Sequence, residues 1–339
     1  MATKKVLLTK DKPFYKGNLH CHSTWSDGAL IPEELKDQYK ARGYSILAIT
    51  DHEHVNSHAY LDDEEFLTIT STELAIKEFP EQSTLKNFNM KVCHLNLYAK
   101  ERDNTKTVCY NSVLDHFSKG ERRAALANLE EYDRVYGKDG INEIIRIANE
   151  NGFFVCYNHP RWSLENYGDY CGYEGLWGVE ICNYGVNAGG IYEYDINVLD
   201  DFLRDGKRVF ASCGDDNHLQ TGDSFGAFVM VNAPELTYDS VISALLKGDF
   251  YTSTGPAIYE LYTEGNKVFV ACSDARQITM STRGRRSESV IAPVGETVCK
   301  AEFELCEQDG YFRIDVIDAQ GNRANSQAYF LEDLKCENK

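Results

Sequence analysis

Imidazole and carboxylate side chains recur along this sequence at one kind of place, just after a short apolar run. The set comprises His20, His22, Asp27, His52, Glu73, His94, His159, Asp216 and His218. Imidazole nitrogens and carboxylate oxygens are ligands for divalent transition metals. Because catalytic groups gather at the carboxyl ends of the strands in α/β barrels, we expect these side chains to converge at one rim. The spacing therefore predicts a cluster of metal ions in an active site.

His20 and His22 are the densest part of this pattern. They lie two residues apart on an extended segment, so both side chains project from one face while Cys21 points the other way. Such a pair can bind one metal, although an isolated His-x-His pair is more often a surface or hydrogen-bonded pair. Asp27 follows on the loop that leaves the same strand. It can hold a neighbouring ion or serve as a turn residue before Gly28.

Alternating strand and helix patterns position these residues. From about Tyr15 to Ala233, short β-branched or aromatic runs alternate with helical patterns, which is typical of βα units and a parallel sheet. We count seven strands, and their apolar character indicates burial on both faces. These features predict an α/β fold built on a distorted, closed or nearly closed TIM-like barrel of seven βα units.

Proline, glycine and capping residues mark the helix boundaries. Pro32 suits the first turn of the first helix, Asp139 can cap a later helix, and Thr237 can cap the last one. The glycines predicted to end helices are Gly43, Gly152, Gly206 and Gly248.

Two segments depart from this alternation. Residues from about 99 to 138 are polar, with one helix predicted around Arg123 to Tyr136, and we interpret them as an insertion. After residue 255, strand-like runs alternate between inward and outward residues beside turn signals, which predicts a small antiparallel β-sandwich-like domain. The predicted division is residues 1–255 for the barrel and 256–339 for the β domain.

The composition restricts the partners and the compartment. A net charge of −18 over 339 residues argues against nucleic acid and anionic membrane surfaces, because both bind clustered Lys and Arg. The amino terminus lacks a signal-peptide core, and no run approaches the ~20 apolar residues of a membrane span. The 11 cysteines include no Cys-x-x-Cys pair, so we expect reduced thiols and a cytoplasmic location.

The stretch from Asn18 to Gly28, with Ala48 to His52 downstream, resembles the PHP family, named for polymerase and histidinol phosphatase. The later motifs of that family are matched in order by Ser71-Thr72-Glu73, His94, Asn158-His159-Pro160 and Asp216-Asn217-His218. The resemblance covers about residues 14–233. It implies a metal-dependent phosphoesterase, here in a two-domain form with a C-terminal β domain.

The resemblance also implies a ligand set, residue by residue. It places His20, His22, Glu73 and Asp216 around one ion, Glu73, His94 and His159 around a second, and Asp27, His52 and His218 around a third. Glu73 would bridge two ions, because a carboxylate has two oxygens. The expected cofactors are therefore two or three divalent ions. A mixed imidazole and carboxylate set without thiolates suits zinc, manganese or iron.

Five residues are candidates for other roles at the site. Asp51 and His218 are the candidate catalytic residues that exchange protons, and Asp51 could instead orient an imidazole. Arg161, Asn183 and Lys77 are the candidate substrate-binding residues near strand ends. A guanidinium can pair with two phosphate oxygens, although an arginine beside a tryptophan on a loop can also be an ordinary surface residue.

The resemblance implies hydrolysis of a small phosphate monoester, such as a nucleotide or sugar phosphate, through metal-bound hydroxide. A hydrolase of carboxylic esters or amides could use the same ligands, and an uncharged apolar cleft would favour it. A third alternative is a non-catalytic metal-binding or partner-binding protein, in which we would expect ligands to be missing. The C-terminal domain could form a homo-oligomer or cover the barrel mouth.

Overall fold

The computed structural model describes residues 4–79, 89–115, 118, 123–124, 126 and 128–335, and these form a mixed α/β structure. The strands are β1 (Lys4–Leu8), β2 (Phe14–Asn18), β3 (Ile46–Ala48), β4 (Leu67–Ile69), β5 (Ser71–Lys77), β6 (Val92–Ala99), β7 (Phe153–Tyr157), β8 (Gly178–Asn183), β9 (Phe210–Gly214), β10 (Phe228–Asn232), β11 (Phe250–Ser253), β12 (Ile258–Glu264), β13 (Lys267–Ala275), β14 (Gln277–Thr282), β15 (Ser287–Ile291), β16 (Val298–Glu304), β17 (Tyr311–Ile317), β18 (Arg323–Ser326) and β19 (Tyr329–Phe330). The α-helices are α1 (Pro32–Lys40), α2 (Lys138–Glu150), α3 (Tyr167–Tyr170), α4 (Tyr184–Ala188), α5 (Ile196–Arg204), α6 (Tyr238–Lys247) and α7 (Leu331–Lys335).

One sheet has the order β5-β6-β7-β8-β9. Strands β7, β8 and β9 are parallel, whereas β6 is antiparallel to both β5 and β7. The prediction of a wholly parallel sheet is therefore wrong at β6. Because β6 runs in the opposite direction, its first residues lie at the edge where β7 ends. The sequence predicts His94 at the end of a strand. In the structure it is the third residue of β6.

A longer sheet has the order β15-β14-β17-β18-β11-β10-β2-β3-β4, with β19 beside β17. Strands β2, β3 and β4 are parallel, and β10 is antiparallel to β2. Within the described residues, no ladder joins β4 to β5 or β9 to β10, so the predicted TIM-like barrel is not confirmed. Isolated β-bridges, between His52 and Glu73 and between Cys21 and Asn217, link the two sheets instead. The amides of Glu73 and Asp216 donate to the carbonyls of Asp51 (3.3 Å) and His20 (2.8 Å).

The first and last predicted helices are confirmed with their terminal signals. Pro32 is the first residue of α1, and Gly43 follows its end with a left-handed φ of 75°. The Thr237 side chain accepts a hydrogen bond from the Ser240 amide at the start of α6, and Gly248 ends that helix with a φ of 78°. A helix start needs a side chain that accepts a hydrogen bond from a backbone amide, and a helix end with a positive φ favours glycine. Few residue types meet these needs, which is why the sequence predicts these helix ends.

Two helix predictions are wrong. Asp139 does not cap α2, because the N-cap is Gly137 and Asp139 lies in the first turn. The helix predicted around 123–136 is not continuous, since residues 130–136 are irregular. The core face of α2 is as expected, with Ile141, Ile144 and Ile145 buried. Each such side chain stabilises the fold by roughly 1.5–3 kcal/mol.

The strands after residue 255 pair with earlier parts of the chain. β1 is antiparallel to β12 in the sheet β1-β12-β13-β16, and β11 is antiparallel to β18. The side chain of Gln327 accepts a hydrogen bond from the Ala211 amide (2.8 Å) and donates one to the Ala211 carbonyl (3.0 Å). It thus pairs with β9 as a neighbouring strand would. The domain boundary at residue 255 stays a prediction.

The described cysteines are all free thiols. No helix in the described part of the chain combines the length and apolar character needed to cross a bilayer.

Candidate metal centre

Four buried side chains form what we call the inner cluster: His20, His22, Glu73 and Asp216. The histidines follow β2, Glu73 is the third residue of β5, and Asp216 follows β9. Asp216 Oδ1 lies 3.1 Å from His20 Nε2 and 3.0 Å from His22 Nε2. The carboxylate of Glu73 lies 3.3 Å from each of the same nitrogens. The structure therefore brings together the residues predicted for the first ion.

Glu73 also faces a second pair of histidines. Its Oε1 atom lies 3.2 Å from His94 Nδ1 and 3.4 Å from His159 Nε2. Its Oε2 atom lies 3.3 Å from both His22 Nε2 and His52 Nδ1. Because the two oxygens face different sets of imidazoles, this carboxylate can serve more than one cation, as the predicted bridging role requires.

Three residues form what we call the outer cluster: Asp27, His52 and His218, which lie against His22. Asp27 Oδ2 is 3.6 Å from His52 Nε2, and its Oδ1 is 3.4 Å from His218 Nε2. The side chains of Asp27 and His218 are 30% and 34% exposed, whereas those of the inner cluster are almost completely buried. The outer cluster therefore lies at the opening of the site.

The carboxylates of the site are ionised and differ in their effect on the imidazoles. Burial lowers the pKa of His22, but hydrogen bonds to Asp216 and Glu73 outweigh burial and raise that pKa to about 10. Burial prevails at His52 and lowers its pKa to about 3 despite the charge of Asp27. For Glu73, burial acts to raise the pKa, but His94 and His20 outweigh it and hold the pKa well below its usual range. The acids thus retain the charge that cation binding needs.

The donor set fits divalent metal ions. The Nε2 atoms of His20 and His22 lie 3.3 Å apart, so that one cation can contact both lone pairs. A tetrahedral metal with bonds of about 2.0–2.1 Å places its ligand atoms on the order of 3.3 Å apart. The distances from the two histidine nitrogens to the carboxylate oxygens of Glu73 and Asp216, from 3.0 to 3.3 Å, match that spacing.

Three non-glycine residues at the site have a positive φ. The angles are 26° at His159, 51° at Asp216 and 70° at Glu53, which directly follows His52. Such conformations cost free energy and concentrate at functional sites, where surrounding contacts maintain them. They turn the chain sharply where it leaves a strand.

Glu180 was missed by the sequence analysis. It lies in β8, is 3% exposed, and places Oε1 3.0 Å from His20 Nδ1, while Oε2 accepts from the His159 amide at 3.2 Å. A carboxylate on the second ring nitrogen of a metal ligand fixes the tautomer and orientation of that imidazole. A charged residue within the apolar run Gly178–Cys182 was the available signal.

Asn183 and Asp51 are buried and fully engaged in hydrogen bonds. The Asn183 amide donates to Asp216 Oδ2 and Glu180 Oε2, both at 3.0 Å. The Asp51 carboxylate accepts from the Ser23 amide (2.8 Å), the Ser23 hydroxyl (2.6 Å) and the Ser26 hydroxyl (2.7 Å). These contacts favour positioning roles: Asn183 orients Asp216, and Asp51 holds the loop that carries Asp27.

Two predicted substrate-binding residues, Arg161 and Lys77, belong to neither the inner nor the outer cluster. The Arg161 guanidinium pairs with Asp195 through Nε (2.9 Å) and Nη2 (2.8 Å), and its side chain is half exposed. Lys77 ends β5, and burial lowers the pKa of its ammonium group. The structure therefore does not place the Arg161 guanidinium in the clusters.

The insertion contributes a buried ion pair behind the site. Arg134 lies 2.5 Å from Glu53 Oε2 through Nη2, and its Nη1 donates to Glu53 Oε1 (3.0 Å) and to the Ala75 carbonyl (2.9 Å). Both side chains are at most 1% exposed. Because Glu53 follows His52 and Ala75 lies two residues after Glu73, this pair ties the insertion to the segments that carry two predicted ligands.

Comparison with known proteins gives short sequence matches. No protein-family model matches the chain. A segment of 37 residues is 54% identical to the DNA polymerase/3'-5' exonuclease PolX of Bacillus subtilis, and one of 40 residues is 50% identical to the 5'-3' exoribonuclease of Haemophilus influenzae. These segments cover 11% and 12% of this chain but only 6% and 15% of the two relatives.

Three solved structures are similar over a larger share of the chain. A two-domain protein containing a predicted PHP-like metal-dependent phosphoesterase, from Bacteroides vulgatus, is 14% identical with a TM-score of 0.45, covering 96% of this chain and 97% of that one. A proposed metal-dependent phosphoesterase from Bifidobacterium adolescentis is 17% identical with a TM-score of 0.39, covering 70% and 97%. An amidohydrolase from Chromobacterium violaceum is 16% identical with a TM-score of 0.37, covering 69% and 96%.

Proposed function

We propose that this chain is a metal-dependent hydrolase that cleaves small phosphate monoesters, such as nucleotide or sugar phosphates. The observation that carries the proposal is the convergence of six imidazoles and three carboxylates, in which Glu73 of the inner cluster also contacts the His94–His159 pair. Buried carboxylates at such density repel one another unless cations neutralise them. The motif resemblance described above gives the reaction class.

We further propose the residues that hold the ions. The inner cluster would hold one ion, Glu73 with His94 and His159 a second, and the outer cluster a third. With two or all three of these positions filled, the protein would bind two or three ions of zinc, manganese or iron. When bound, such ions lower the pKa of water and neutralise charge on a transferring phosphoryl group.

The side chains of the opening would handle the proton of the leaving group. His218 Nδ1 lies 2.9 Å from the Asp216 carbonyl, so Nε2 is the atom that faces the site. It can give a proton to a departing alkoxide or serve as a ligand, but not both at once. Asp51, with three hydrogen bonds to Ser23 and Ser26, is less accessible for proton transfer and maintains the loop.

One observation keeps a second candidate function. Arg161 is engaged with Asp195, so its guanidinium is not directed to a phosphate, and an ester or amide of a carboxylic acid could use the same clusters. Lys77 is the remaining cationic candidate for a substrate contact. A non-catalytic binding role is disfavoured because all nine predicted ligand residues are present. We also propose that the protein binds neither nucleic acid nor membranes. A homo-oligomer, if one forms, would use the C-terminal strands.

A substrate screen with one ligand variant tests the function. The purified chain is loaded with manganese, zinc or iron and assayed against phosphomonoesters, phosphodiesters and carboxylic esters, with His20→Ala in parallel. We expect phosphomonoesters to be preferred and kcat/KM of the variant to fall by more than about 100-fold, because the loss of a direct ligand exceeds the 10–100-fold typical of its supporting residues. Far-UV circular dichroism checks that the variant is folded. Equal activity of both proteins would refute the proposal.

A further inference from the structure

Trp162 lies beside the predicted metal ligands and remains 40% exposed. Its ring centroid is 5.0 Å from that of His159, with the planes at 80°, and 5.1 Å from that of His94, with the planes at 45°. The indole is therefore supported by two ligand imidazoles and still presents surface to solvent. An exposed aromatic ring is unremarkable alone, but this one directly borders the site.

A buried carboxylate accepts hydrogen bonds from the backbone of the turn that carries Trp162. Glu193, which is fully buried, accepts hydrogen bonds from the Trp162 amide (2.9 Å) and the Arg161 amide (3.2 Å). The Ser163 amide donates to the His159 carbonyl at 3.1 Å. Because the backbone is fixed on both sides of the indole, little conformational freedom is lost when a ligand contacts the ring.

The turn offers an aromatic surface and no unpaired charge. Its charged group, the Arg161 guanidinium, is already paired with Asp195. The indole centroid lies 5.0 Å from that of His159 and 5.1 Å from that of His94, so the organic substituent of a phosphoryl group held there would meet the ring if it points to this side. Flat aromatic rings stack on or meet the edges of such a surface at centroid distances of about 4.5–7 Å.

We propose that Trp162 forms a binding subsite for a planar aromatic ring in the leaving group of the substrate. This proposal rests on the proposed function, and it narrows the substrate class to aryl or nucleoside phosphate monoesters. Stacking between a base and an aromatic side chain corresponds to about a 5- to 100-fold difference in affinity.

Kinetics with matched substrates test the subsite. The metal-loaded protein, Trp162→Ala, Trp162→Phe and the control Tyr259→Ala are compared on phenyl phosphate, adenosine monophosphate, glycerol phosphate and phosphocholine. Tyr259 is an exposed aromatic residue of β12. In Trp162→Ala we expect KM for the two aromatic esters to rise about 5- to 100-fold, with partial recovery in Trp162→Phe. The kcat/KM for glycerol phosphate and phosphocholine should stay within about threefold.

Two kinetic outcomes would overturn the subsite. An equal loss on all four substrates would mean that Trp162 supports the metal ligands and does not select the leaving group. A loss on phosphocholine as large as that on phenyl phosphate would indicate recognition of a cation by the ring, which is a different ligand chemistry.

A binding measurement separates this proposal from the proposed function. Adenosine monophosphate should quench tryptophan fluorescence in the metal-loaded protein and not in Trp162→Phe, while glycerol phosphate should quench neither. Quenching without turnover of any phosphomonoester would support the aromatic subsite and refute the phosphatase activity. Turnover without this selective quenching would refute the subsite and leave the activity intact.

Discussion

The inner and outer clusters contain the same ligand types but differ in depth and support. His20, His22 and Glu73 of the inner cluster are at most 1% exposed, whereas the Asp27 and His218 side chains of the outer cluster are about one-third exposed. His20 is contacted by Glu180 and Asp216 by Asn183, both of which are buried. The outer carboxylate lies instead on a loop.

For the proposed metal sites, this difference predicts two kinds of ion binding. Ligands held by buried hydrogen bonds are already in place before an ion arrives, so less free energy is spent on ordering them. The Asp27 carboxylate is partly exposed to water, so an ion held there would exchange more readily. We call the ions proposed at the inner cluster and at Glu73, His94 and His159 the inner ions, and the ion proposed at the outer cluster the outer ion. We therefore expect the inner ions to be retained under chelation and the outer ion to be released first.

The largest effect is expected for Glu73→Gln. The side-chain amide of glutamine carries no negative charge to balance the charge of the metal ions, and Glu73 contacts a histidine of each predicted ion. Both inner ions should therefore be lost, and activity should fall by more than about 100-fold. Metal content by mass spectrometry and kcat/KM are the measurements. Glu65→Gln, at an exposed carboxylate, is the matched control. Retention of all ions in Glu73→Gln would remove the central assumption of the comparison.

An intermediate effect is expected for Glu180→Gln. The substitution retains the shape of the side chain but weakens its hydrogen bond with His20, which should lower the affinity of the ion at the inner cluster by about 10- to 100-fold. Competition with a chelator of known affinity measures this change. The same experiment on the outer ion serves as an internal control, and an equal loss at both ions would contradict a role specific to His20.

The smallest effect is expected for Asp27→Asn. Among the predicted ligands, its carboxylate contacts His22, His52 and His218, so the stoichiometry should fall by one ion while the inner ions keep their affinity within about threefold. Titration calorimetry on the variant distinguishes the sites. If Asp27→Asn released the inner ions as well, the two clusters would behave as one unit.

The convergence of the ligands was predictable because strand alternation and strand ends are local signals. The pair at His20 and His22 needs only an extended backbone, and His52 and Asp216 each follow an apolar run. His94 was placed among them for the wrong geometric reason, since it reaches the site through the reversed direction of β6. Strand direction depends on long-range pairing, which a local pattern does not encode.

The supporting residues were harder to predict because their partners are distant in sequence. Glu180 meets His20 across 160 positions, and Arg134 meets Glu53 across 81. A lone charge in an apolar run signals that a partner exists but does not identify it. The helix predicted around Arg123 to Tyr136 likewise gave no indication that the Arg134 side chain is buried.

The amide of Gln327 has a practical consequence for dissecting this molecule. Its two hydrogen bonds cover both backbone groups of Ala211 in β9, the strand that leads to Asp216. Removal of the residues beyond 255 would expose the backbone amide and carbonyl of Ala211. These unpaired groups could then form hydrogen bonds with a strand of another molecule. We therefore expect the shortened protein to self-associate, and a fragment intended to retain the inner and outer clusters should keep the carboxy-terminal strands.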